Sequence, residues 1–409
     1  MCRSKRSTDI VSQMPRNSRS SKSSFKSKSS SITDPSLSNF TSNDYTPNSH
    51  YNFSSKSSGN SAASTSLKTL RESLPENPHI YDFSEIFSAT NNFLSNKFSS
   101  SSSSTSWRSS IRGKEVIIFQ RKLRRVLELE QLCERLSVIC RSHHSSLIKL
   151  LGASVSGNYI YLVYEYVSGA NLSDCLRNKN NPDFTVLSSW LSRMQVATDL
   201  AHGLDYIHHF SGLQSNLIHN HIKSSSIIVS EGDSDSEALC AKFCHFGTAE
   251  LCGEVMGKND SKVRKIEGTR GYMSPEFQLS GVASQKSDVY AFGVVMLELV
   301  SGDEALRFVF DEGSGAYKRI SVIETACEAA AGGGSGVRRW VDRRLRDSYP
   351  VEVAEKMVLL GLQCVDEYPE KRPDMRHVAG LVSKLYLESK TWAEKIGLPT
   401  DFSVSIAPR

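Results

Sequence analysis

The spacing of apolar residues changes along this chain, and that change restricts the fold more than any other feature of the sequence. Val116–Ile118 is β-branched throughout, and the aromatic and β-branched run Gly157–Val167 follows Leu147–Ser154 across a Gly-Asn turn, as in a β-hairpin. From Leu187 to Ile207 the apolar residues advance in steps of four and three, which predicts one long helix. Strand-like segments followed by helical ones indicate an α+β chain with two lobes.

Shorter segments complete this outline. Tyr81–Phe93 predicts a short amphipathic helix and Leu123–Cys140 a longer one, while Ile227–Val229 and Ala241–Phe243 are typical of short strands. We expect only helices and loops from Ser284 to Tyr386.

Two parts of that last region have a specific interpretation. Val289–Val300 is apolar apart from Glu298, but its 12 residues are too few to span a membrane, so we expect a helix buried inside a globular domain. Gly332–Gly336 predicts a flexible loop on the surface.

The first 78 residues differ in composition from the rest of the chain. They are dominated by Ser, Asn, Thr and Lys, and such a segment buries too little apolar surface to offset the entropy lost on ordering. We therefore expect residues 1–78 to be disordered and residues 79–389 to form one domain, with a small lobe to about residue 166 and a larger lobe from residue 167. Residues 390–409 are expected to be a C-terminal tail.

The positive charge is concentrated in that first segment. The chain has a net charge of +5, and residues 1–70 carry ten Lys and Arg against three Asp and Glu. The whole chain therefore has no charge excess that would indicate a specific nucleic-acid partner. A basic, Ser-rich segment is compatible with phosphorylation, with contact to an acidic membrane surface, or with a purely solubilising role.

The cysteines and the N-terminus indicate a reducing, cytoplasmic setting. Nine cysteines without regular spacing do not resemble a disulfide framework, the first residues lack the apolar core of a signal peptide, and no apolar stretch reaches 18 residues. Cys2 lies beside Arg3, Lys5 and Arg6, and an acylated thiol with a basic patch would be a two-signal anchor at the plasma membrane. Because Cys2 stands where a glycine is needed, N-myristoylation is excluded.

Six local patterns occur in one order along the chain. They are YLVYEYVSGANL (Tyr161–Leu172), LIHNHIKSSSIIV (Leu217–Val229), AKFCHFGTAEL (Ala241–Leu251), GTRGYMSPEF (Gly268–Phe277), SDVYAFGVVMLEL (Ser287–Leu299) and KRPDM (Lys371–Met375). Together they resemble the protein kinase domain of plant receptor-like kinases over about Tyr81–Glu388, and GKEVIIF resembles most the LysM receptor-like kinases. The resemblance implies a bilobal fold with a small β-rich N-lobe and a larger helical C-lobe.

The resemblance also shows which phosphate-handling groups are replaced. Phosphoryl transfer uses a Gly-rich loop, a strand Lys paired with a helix Glu, a catalytic Asp, and Asn and Asp ligands for Mg²⁺. Ser99–Ser106 stands at the place of the loop and has no glycine. Phe119 stands at the strand Lys and Arg135 at the helix Glu. His221 stands at the catalytic Asp, Ser226 at the Asn ligand and His245 at the Asp ligand. Ile117 narrows the expected base pocket. Glu134 lies one residue out of register with the helix Glu, and Arg121, expected on the same strand face as Phe119, is the only nearby substitute for the Lys.

The positions that build a kinase lobe are retained. The resemblance places Ile139, His219 and Phe246 in an apolar spine, Asp288 against the catalytic-loop backbone, and Glu276 with Arg372 in a buried ion pair. Lys223 and Gly247 also match the pattern, and Gly293 is expected where a close neighbour requires a glycine.

Two groups of histidines and cysteines are candidate metal sites. Cys240, Cys244, His245 and Cys252 lack the spacing of a zinc site, and the adjacent side chains of His143-His144 and His208-His209 point apart. We expect no metal site at either place.

Three hypotheses follow. The first is a pseudokinase that acts as a scaffold or regulator for a protein partner, such as an active receptor-like kinase or receptor complex, without a cofactor. The second is a divergent ATP-dependent Ser/Thr kinase that uses Arg121 and His221 with ATP and Mg²⁺. The third is a membrane-tethered or RNA-associated adaptor that acts through its basic tail.

Overall fold

The small lobe is built on one six-stranded sheet. The computed structural model of the chain describes residues 79–101, 104–124, 128–178, 187–209, 217–231, 239–255, 266–313 and 315–397. The strands are β1 (His79–Ile80), β2 (Ser99–Ser100), β3 (Ser104–Ile111), β4 (Lys114–Lys122), β5 (Leu150–Ser156) and β6 (Tyr159–Glu165). Their order is β1-β5-β6-β4-β3-β2, with β1 parallel to β5 and all other neighbours antiparallel.

Two helices accompany this sheet. Helix α1 (Phe83–Ala89) begins at Asp82, which forms a capping box with Glu85, and buries Ile86. Helix α2 (Leu129–Arg141) buries Leu132, Leu136 and Ile139 along one face. The predicted helices at Tyr81–Phe93 and Leu123–Cys140 are therefore present but shorter, because Asp82 caps the first and the second starts only at Leu129.

The larger lobe consists mainly of helices. These are α3 (Leu172–Arg177), α4 (Trp190–His209), α5 (Thr248–Leu251), α6 (Pro275–Ser280), α7 (Gln285–Ser301), α8 (Val322–Ala331), α9 (Gly333–Trp340), α10 (Val351–Cys364) and α11 (Met375–Ile396). A three-stranded sheet in the order β7 (Ala170–Asn171), β8 (Ile227–Glu231), β9 (Leu239–Phe243) completes the lobe, together with a separate hairpin, β10 (Leu306–Asp311) and β11 (Ala316–Ser321). The structure confirms the predicted α+β class with a sheet lobe and a helical lobe.

Helix α7 forms the centre of the larger lobe. Every residue from Asp288 to Ser301 is buried, and the helix is delimited by an N-cap at Ser284 and by Gly302 in the left-handed region. The predicted buried helix at Val289–Val300 is confirmed. No helix in the described part of the chain combines the length and apolar character needed to cross a bilayer.

Two expectations for the C-terminal half are wrong. Leu306–Asp311 and Ala316–Ser321 form an antiparallel hairpin inside a region that we expected to contain only helices and loops, since LRFVFD has the β-branched and aromatic content of a strand. Gly332–Gly336 is not a surface excursion: α9 begins at Gly333, and Gly336 is buried where a Cβ would lie 2.2 Å from the Ala329 carbonyl oxygen. Close backbone packing, and not flexibility, explains that glycine.

The domain limits differ at the C-terminal end. Helix α11 continues to Ile396, beyond the expected limit at residue 389, and it buries Ala393. Residues 1–78, including Cys2, and residues 398–409 lie outside the described residues.

Two helical glycines provide a matched test of core packing. A Cβ at Gly293 of α7 would lie 2.6 Å from Cys364 Cβ and 2.9 Å from Val365 Cγ1, whereas a Cβ at Gly380 of α11 would meet nothing within 4 Å. We expect Gly293→Ala to destabilise the protein by about 1–3 kcal/mol through overpacking. Gly380→Ala should stabilise it by up to about 1 kcal/mol because alanine has the higher helix propensity. Urea denaturation measures both, and equal effects would contradict the packing around Gly293.

Candidate functional site

Phe119 and His245, which are expected from the sequence at the positions of a strand Lys and an acidic metal ligand, lie in contact. Strand β4 places Phe119 opposite Leu162 of β6, and the Phe119 side chain is buried. Its ring centroid lies 4.3 Å from that of His245, at an angle of 34° between the rings. Tyr164 approaches His245 edge-on at 6.2 Å. The contacts around His245 are therefore contacts between aromatic rings and contain no pair of opposite charges.

His245 is an uncharged group in this environment. Burial, together with His221, His219, Lys223 and Arg121, lowers the pKa of His245 well below its usual range. Its Nδ1 atom is buried and has no hydrogen-bond partner among the described residues. The neutral imidazole thus presents neither a negative charge nor an oxygen atom.

A carboxylate from another part of the chain lies between strand β4 of the small lobe and the loop His219–His221 of the larger lobe, a region that we call the cleft. Glu254 is 7% exposed, and its Oε1 accepts a hydrogen bond of 2.7 Å from Nε of Arg121, which is 8% exposed. Its Oε2 accepts a hydrogen bond of 3.0 Å from Asn220 Nδ2 and lies 3.0 Å from His221 Nε2. Glu254 therefore connects strand β4 to the loop that contains His219, Asn220 and His221.

Glu254 remains ionised in spite of its burial. Burial would raise its pKa, but His221, Arg121 and Arg124 outweigh burial and hold the pKa of Glu254 well below its usual range. An anion buried among cations and amide donors is stable only while those partners stay in place. The contact therefore fixes the relative positions of the groups around it.

Two further arginines of the small lobe bind residues that follow Gly247. Arg135 of α2 forms an ion pair with Glu250 of α5. Arg124 Nη2 lies 2.9 Å from Glu267 Oε2, and the backbone N–H of Arg124 donates to the Cys252 carbonyl over 2.9 Å. With the pair Arg121–Glu254, these contacts attach helix α2 and the end of strand β4, together with Arg124 just after it, to both ends of the segment 247–267. Residues 256–265 of it lie outside the described residues.

The loop His219–His221 is also held from the larger lobe. Asp288 of α7 accepts hydrogen bonds from the backbone N–H groups of His219, at 2.7 Å, and Asn220, at 2.8 Å. His208 Nε2 lies 3.1 Å from the same carboxylate. Burial lowers the pKa of His219 to about 4, so the imidazole is neutral and packs beside Phe243 at a ring distance of 5.2 Å.

Comparison with known proteins assigns this architecture to a family. The sequence profile described as protein tyrosine and serine/threonine kinase matches residues 104–382, which is more than half of the chain. The chain belongs to the protein kinase family.

Plant receptor-like kinases are among the relatives of this kinase domain. It is 32% identical to LysM domain receptor-like kinase 3 of Arabidopsis thaliana over 325 residues, which cover 78% of this chain and 48% of the relative. It is 34% identical to chitin elicitor receptor kinase 1 of Arabidopsis thaliana over 319 residues (76% and 47%), and 32% identical to LysM domain receptor-like kinase 3 of Medicago truncatula over 312 residues (76% and 47%). The chain spans about half the length of these relatives.

The kinase-domain positions that build the interior lie where packing requires them. Ile139 and Phe246 are buried in one core, and a Cβ on Gly247, at φ +82°, would lie 2.6 Å from Ile139 Cγ2. The Tyr164 hydroxyl donates to the Phe246 carbonyl over 2.9 Å. Glycine at position 247 thus allows the close approach of α2 to the triplet His245-Phe246-Gly247.

Ser226 and Lys223, which follow the loop His219–His221, contact neighbouring segments of the chain. The Ser226 carbonyl accepts a hydrogen bond of 3.0 Å from the backbone N–H of Cys244, and Ser226 is buried. Lys223 Nζ donates to Thr269 Oγ1 over 3.4 Å, and burial together with Arg121 lowers the pKa of Lys223.

Other residues considered from the sequence have ordinary roles. No group of three or more His, Cys, Asp or Glu side chains in the described ranges could hold a metal ion, and the cysteines described are all free thiols. His144 packs on Tyr206 at a ring distance of 5.2 Å, and His209 lies 2.6 Å from Asp205. Glu134 is exposed, and it is the neighbouring Arg135 that contacts Glu250.

Sequence reasoning did not find Glu254, Glu250 or Glu267. One signal was available for Glu254: Arg121 shares a strand face with the buried Phe119, and a buried guanidinium requires a carboxylate partner. The motif itself does not show which of the following acids supplies it.

The ion pair between Arg372 and Glu276 connects two distant parts of the larger lobe. Arg372 is 1% exposed and donates from both terminal nitrogens to the Glu276 carboxylate, each over 2.8 Å. Burial opposes ionisation of Glu276, but hydrogen bonds from Arg372 and Ser274 outweigh it and lower its pKa from 4.5 to about 2. The stabilisation is therefore complete above pH 4.5 and is lost as the pH falls through about 2.

We expect Glu276→Gln to lower stability at pH 7 by about 2–3 kcal/mol, because Arg372 loses its counter-ion but keeps hydrogen bonds to the Asp366 and Lys286 carbonyls. The difference between wild type and variant should shrink below pH 4.5. Glu115→Gln is the matched control, since the Arg108–Glu115 pair is 47% and 60% exposed and should contribute less than about 1 kcal/mol. Urea denaturation between pH 3 and pH 7 measures both; a difference that is constant with pH would contradict the ionised pair.

A double-mutant cycle tests the buried pair Arg121–Glu254. Glu254→Gln should destabilise the protein by about 3–5 kcal/mol, because it removes the carboxylate that lies 2.7 Å from the buried Arg121 guanidinium. Arg121→Met in the same chain should recover part of this loss. Arg124→Met, at a partly exposed pair, is the control and should have a smaller effect. Additive effects of the two substitutions at Arg121 and Glu254 would contradict a direct interaction.

Proposed function

We propose that this protein is a plant receptor-like pseudokinase, a kinase-fold scaffold or regulator in signalling. The observation that supports the proposal most strongly is the contact between Phe119 and His245, whose ring centroids lie 4.3 Å apart at positions where a kinase binds phosphate and metal. Neither ring contributes a charge. The residues that build the larger lobe, such as Asp288, Glu276 and Arg372, keep the contacts that a folded binding surface requires.

The residues of the cleft do not fit ATP with Mg²⁺, which protein kinases normally use. Magnesium prefers hard oxygen ligands in octahedral geometry, and the two metal-ligand positions hold a serine, Ser226, and an imidazole, His245, whose buried Nδ1 has no partner among the described residues. The strand Lys that would neutralise phosphate charge is Phe119. We therefore infer no catalytic step through a nucleotide.

The alternative is a divergent Ser/Thr kinase that uses Arg121 and His221. Both side chains already face the carboxylate of Glu254, at 2.7 Å and 3.0 Å. A nucleotide phosphate would have to displace that buried anion before it reached Arg121 or His221. This competition favours the pseudokinase over the divergent enzyme.

The proposed function implies a protein partner. Two relatives are named as LysM domain receptor-like kinases and one as a chitin elicitor receptor kinase, so we propose an active receptor-like kinase or receptor complex as the partner and the cytoplasm as its location. Membrane contact through Cys2 and the basic segment, or an adaptor role of that segment alone, concerns residues outside the described part of the chain.

A nucleotide titration tests the proposal. We expect that ATP, with or without Mg²⁺, raises the melting temperature of the full chain by less than about 1 °C, because a ligand stabilises a protein only when it binds the folded state. The kinase domain of LysM domain receptor-like kinase 3 of Arabidopsis thaliana is the control for the assay. Incorporation of phosphate from labelled ATP should also be absent. Autophosphorylation that disappears in His221→Ala would overturn the proposal in favour of the divergent kinase.

A further inference from the structure

The hairpin β10–β11 is a small sheet, and the outer edge of each strand is open among the described residues. Its strands pair in the register Leu306↔Ser321 to Asp311↔Ala316, and neither strand pairs with a third one in the part of the chain that is described. Such edges present unpaired backbone N–H and C=O groups, which are a template for pairing with another chain. A two-stranded sheet alone is also only marginally stable in water.

One face of the hairpin is aromatic and exposed. Phe308, Phe310 and Tyr317 lie on the same face and are 56%, 51% and 71% exposed, and the rings of Phe310 and Tyr317 are 5.3 Å apart. Val309, on the opposite face, is 46% exposed. Contiguous exposed apolar side chains on a protein surface are a feature of interaction sites.

The two edges differ in charge. Strand β11 carries Lys318 and Arg319 at its middle, so two copies of this edge would bring like charges together. Strand β10 carries Phe308, Val309 and Phe310 at its middle, with Arg307 before them and Asp311 after them. Only the edge of β10 is therefore complementary to itself.

We propose that β10 is the pairing edge of a homodimer, in which β10 strands of two copies align antiparallel about a two-fold axis at Val309. This alignment places Arg307 opposite Asp311 of the second copy, and Asp311 opposite its Arg307, so two ion pairs form. It also places Phe308 opposite Phe310 of the second copy. The result is a four-stranded sheet with one continuous aromatic face. The proposal is independent of whether the cleft binds a nucleotide.

Other registers lose these pairings. Because side chains alternate between the faces of a strand, a shift by one residue would put the aromatic faces of the two copies on opposite sides. A shift by two residues would keep the faces aligned but would place Arg307 opposite Val309 or out of the paired region. The Arg307–Asp311 ion pairs and the alignment of the aromatic faces together therefore select the register centred on Val309.

The present ion pair of Arg307 does not prevent this exchange. Arg307 Nη1 lies 3.0 Å from Asp303 Oδ1, with side chains 43% and 37% exposed, and Asp311 Oδ1 accepts a hydrogen bond of 3.2 Å from the Gly313 N–H. Exposed ion pairs contribute little to stability, so Arg307 can exchange one carboxylate for another at low cost. Since each strand has six residues, the interface is small, and we expect a weak dimer that forms at about 10–100 µM.

Sedimentation velocity of the full chain from about 5 to 300 µM tests the proposal. The wild type should shift from monomer to dimer as concentration rises. Arg307→Asp and Asp311→Arg should each raise the dissociation constant about tenfold or more, since each puts two pairs of like charges opposite one another. The double variant Arg307→Asp with Asp311→Arg should restore dimerisation, because the opposed charges are again opposite in sign.

Arg319→Asp, on the other strand, is the matched control and should leave the dissociation constant within about twofold. Thermal melts at low concentration show that each variant folds, and Val309→Lys provides a second disruption because it brings two lysines together on the two-fold axis. A wild type that remains monomeric at 300 µM would overturn the proposal, because β10 would then not pair with a second copy of itself. A dissociation constant that is unchanged in both Arg307→Asp and Asp311→Arg would overturn it as well.

Discussion

Helix α7 has to bury two carboxylates, and much of the larger lobe is arranged around them. Asp288 is 2% exposed and Glu298 is fully buried. Asp288 accepts two backbone hydrogen bonds from the loop at His219, while Glu298 binds Arg177 and accepts from Tyr272, at 2.7 Å, and Ser224, at 3.1 Å. Burial raises the pKa of Glu298 although Arg177 opposes the shift. Because an unpartnered buried charge costs several kcal/mol, these acids fix the loops around them.

In the cleft, too, a buried charge is paired with a partner, here by Arg121 and Glu254. One face of strand β4 presents the phenyl ring of Phe119, which packs on His245. Arg121, two residues further along the same face, is buried too and needs an anion, which Glu254 supplies. An internal carboxylate thus joins the small lobe to the loop that contains His219, Asn220 and His221.

Much of the fold was predictable because it follows from local patterns. The hairpin β5–β6, the long helix α4 and the buried helix α7 are specified by the spacing of apolar residues and by a Gly-Asn turn. The hairpin β10–β11 was not predicted, because LRFVFD is short and lies among helical segments. Nor was the role of Gly336, since its requirement comes from a carbonyl seven residues earlier that only close packing brings within reach.

The sequence by itself determined the fold class and the helices and strands with strong apolar patterns, because these depend on residue type and spacing along the chain. The tertiary structure decided which charges meet. Arg121 and Glu254 are 133 residues apart, and Arg372 and Glu276 are 96 apart, so no local pattern connects them. The physical reason is that a buried charge constrains its surroundings only through a partner in space, and chain folding alone determines which partner that is.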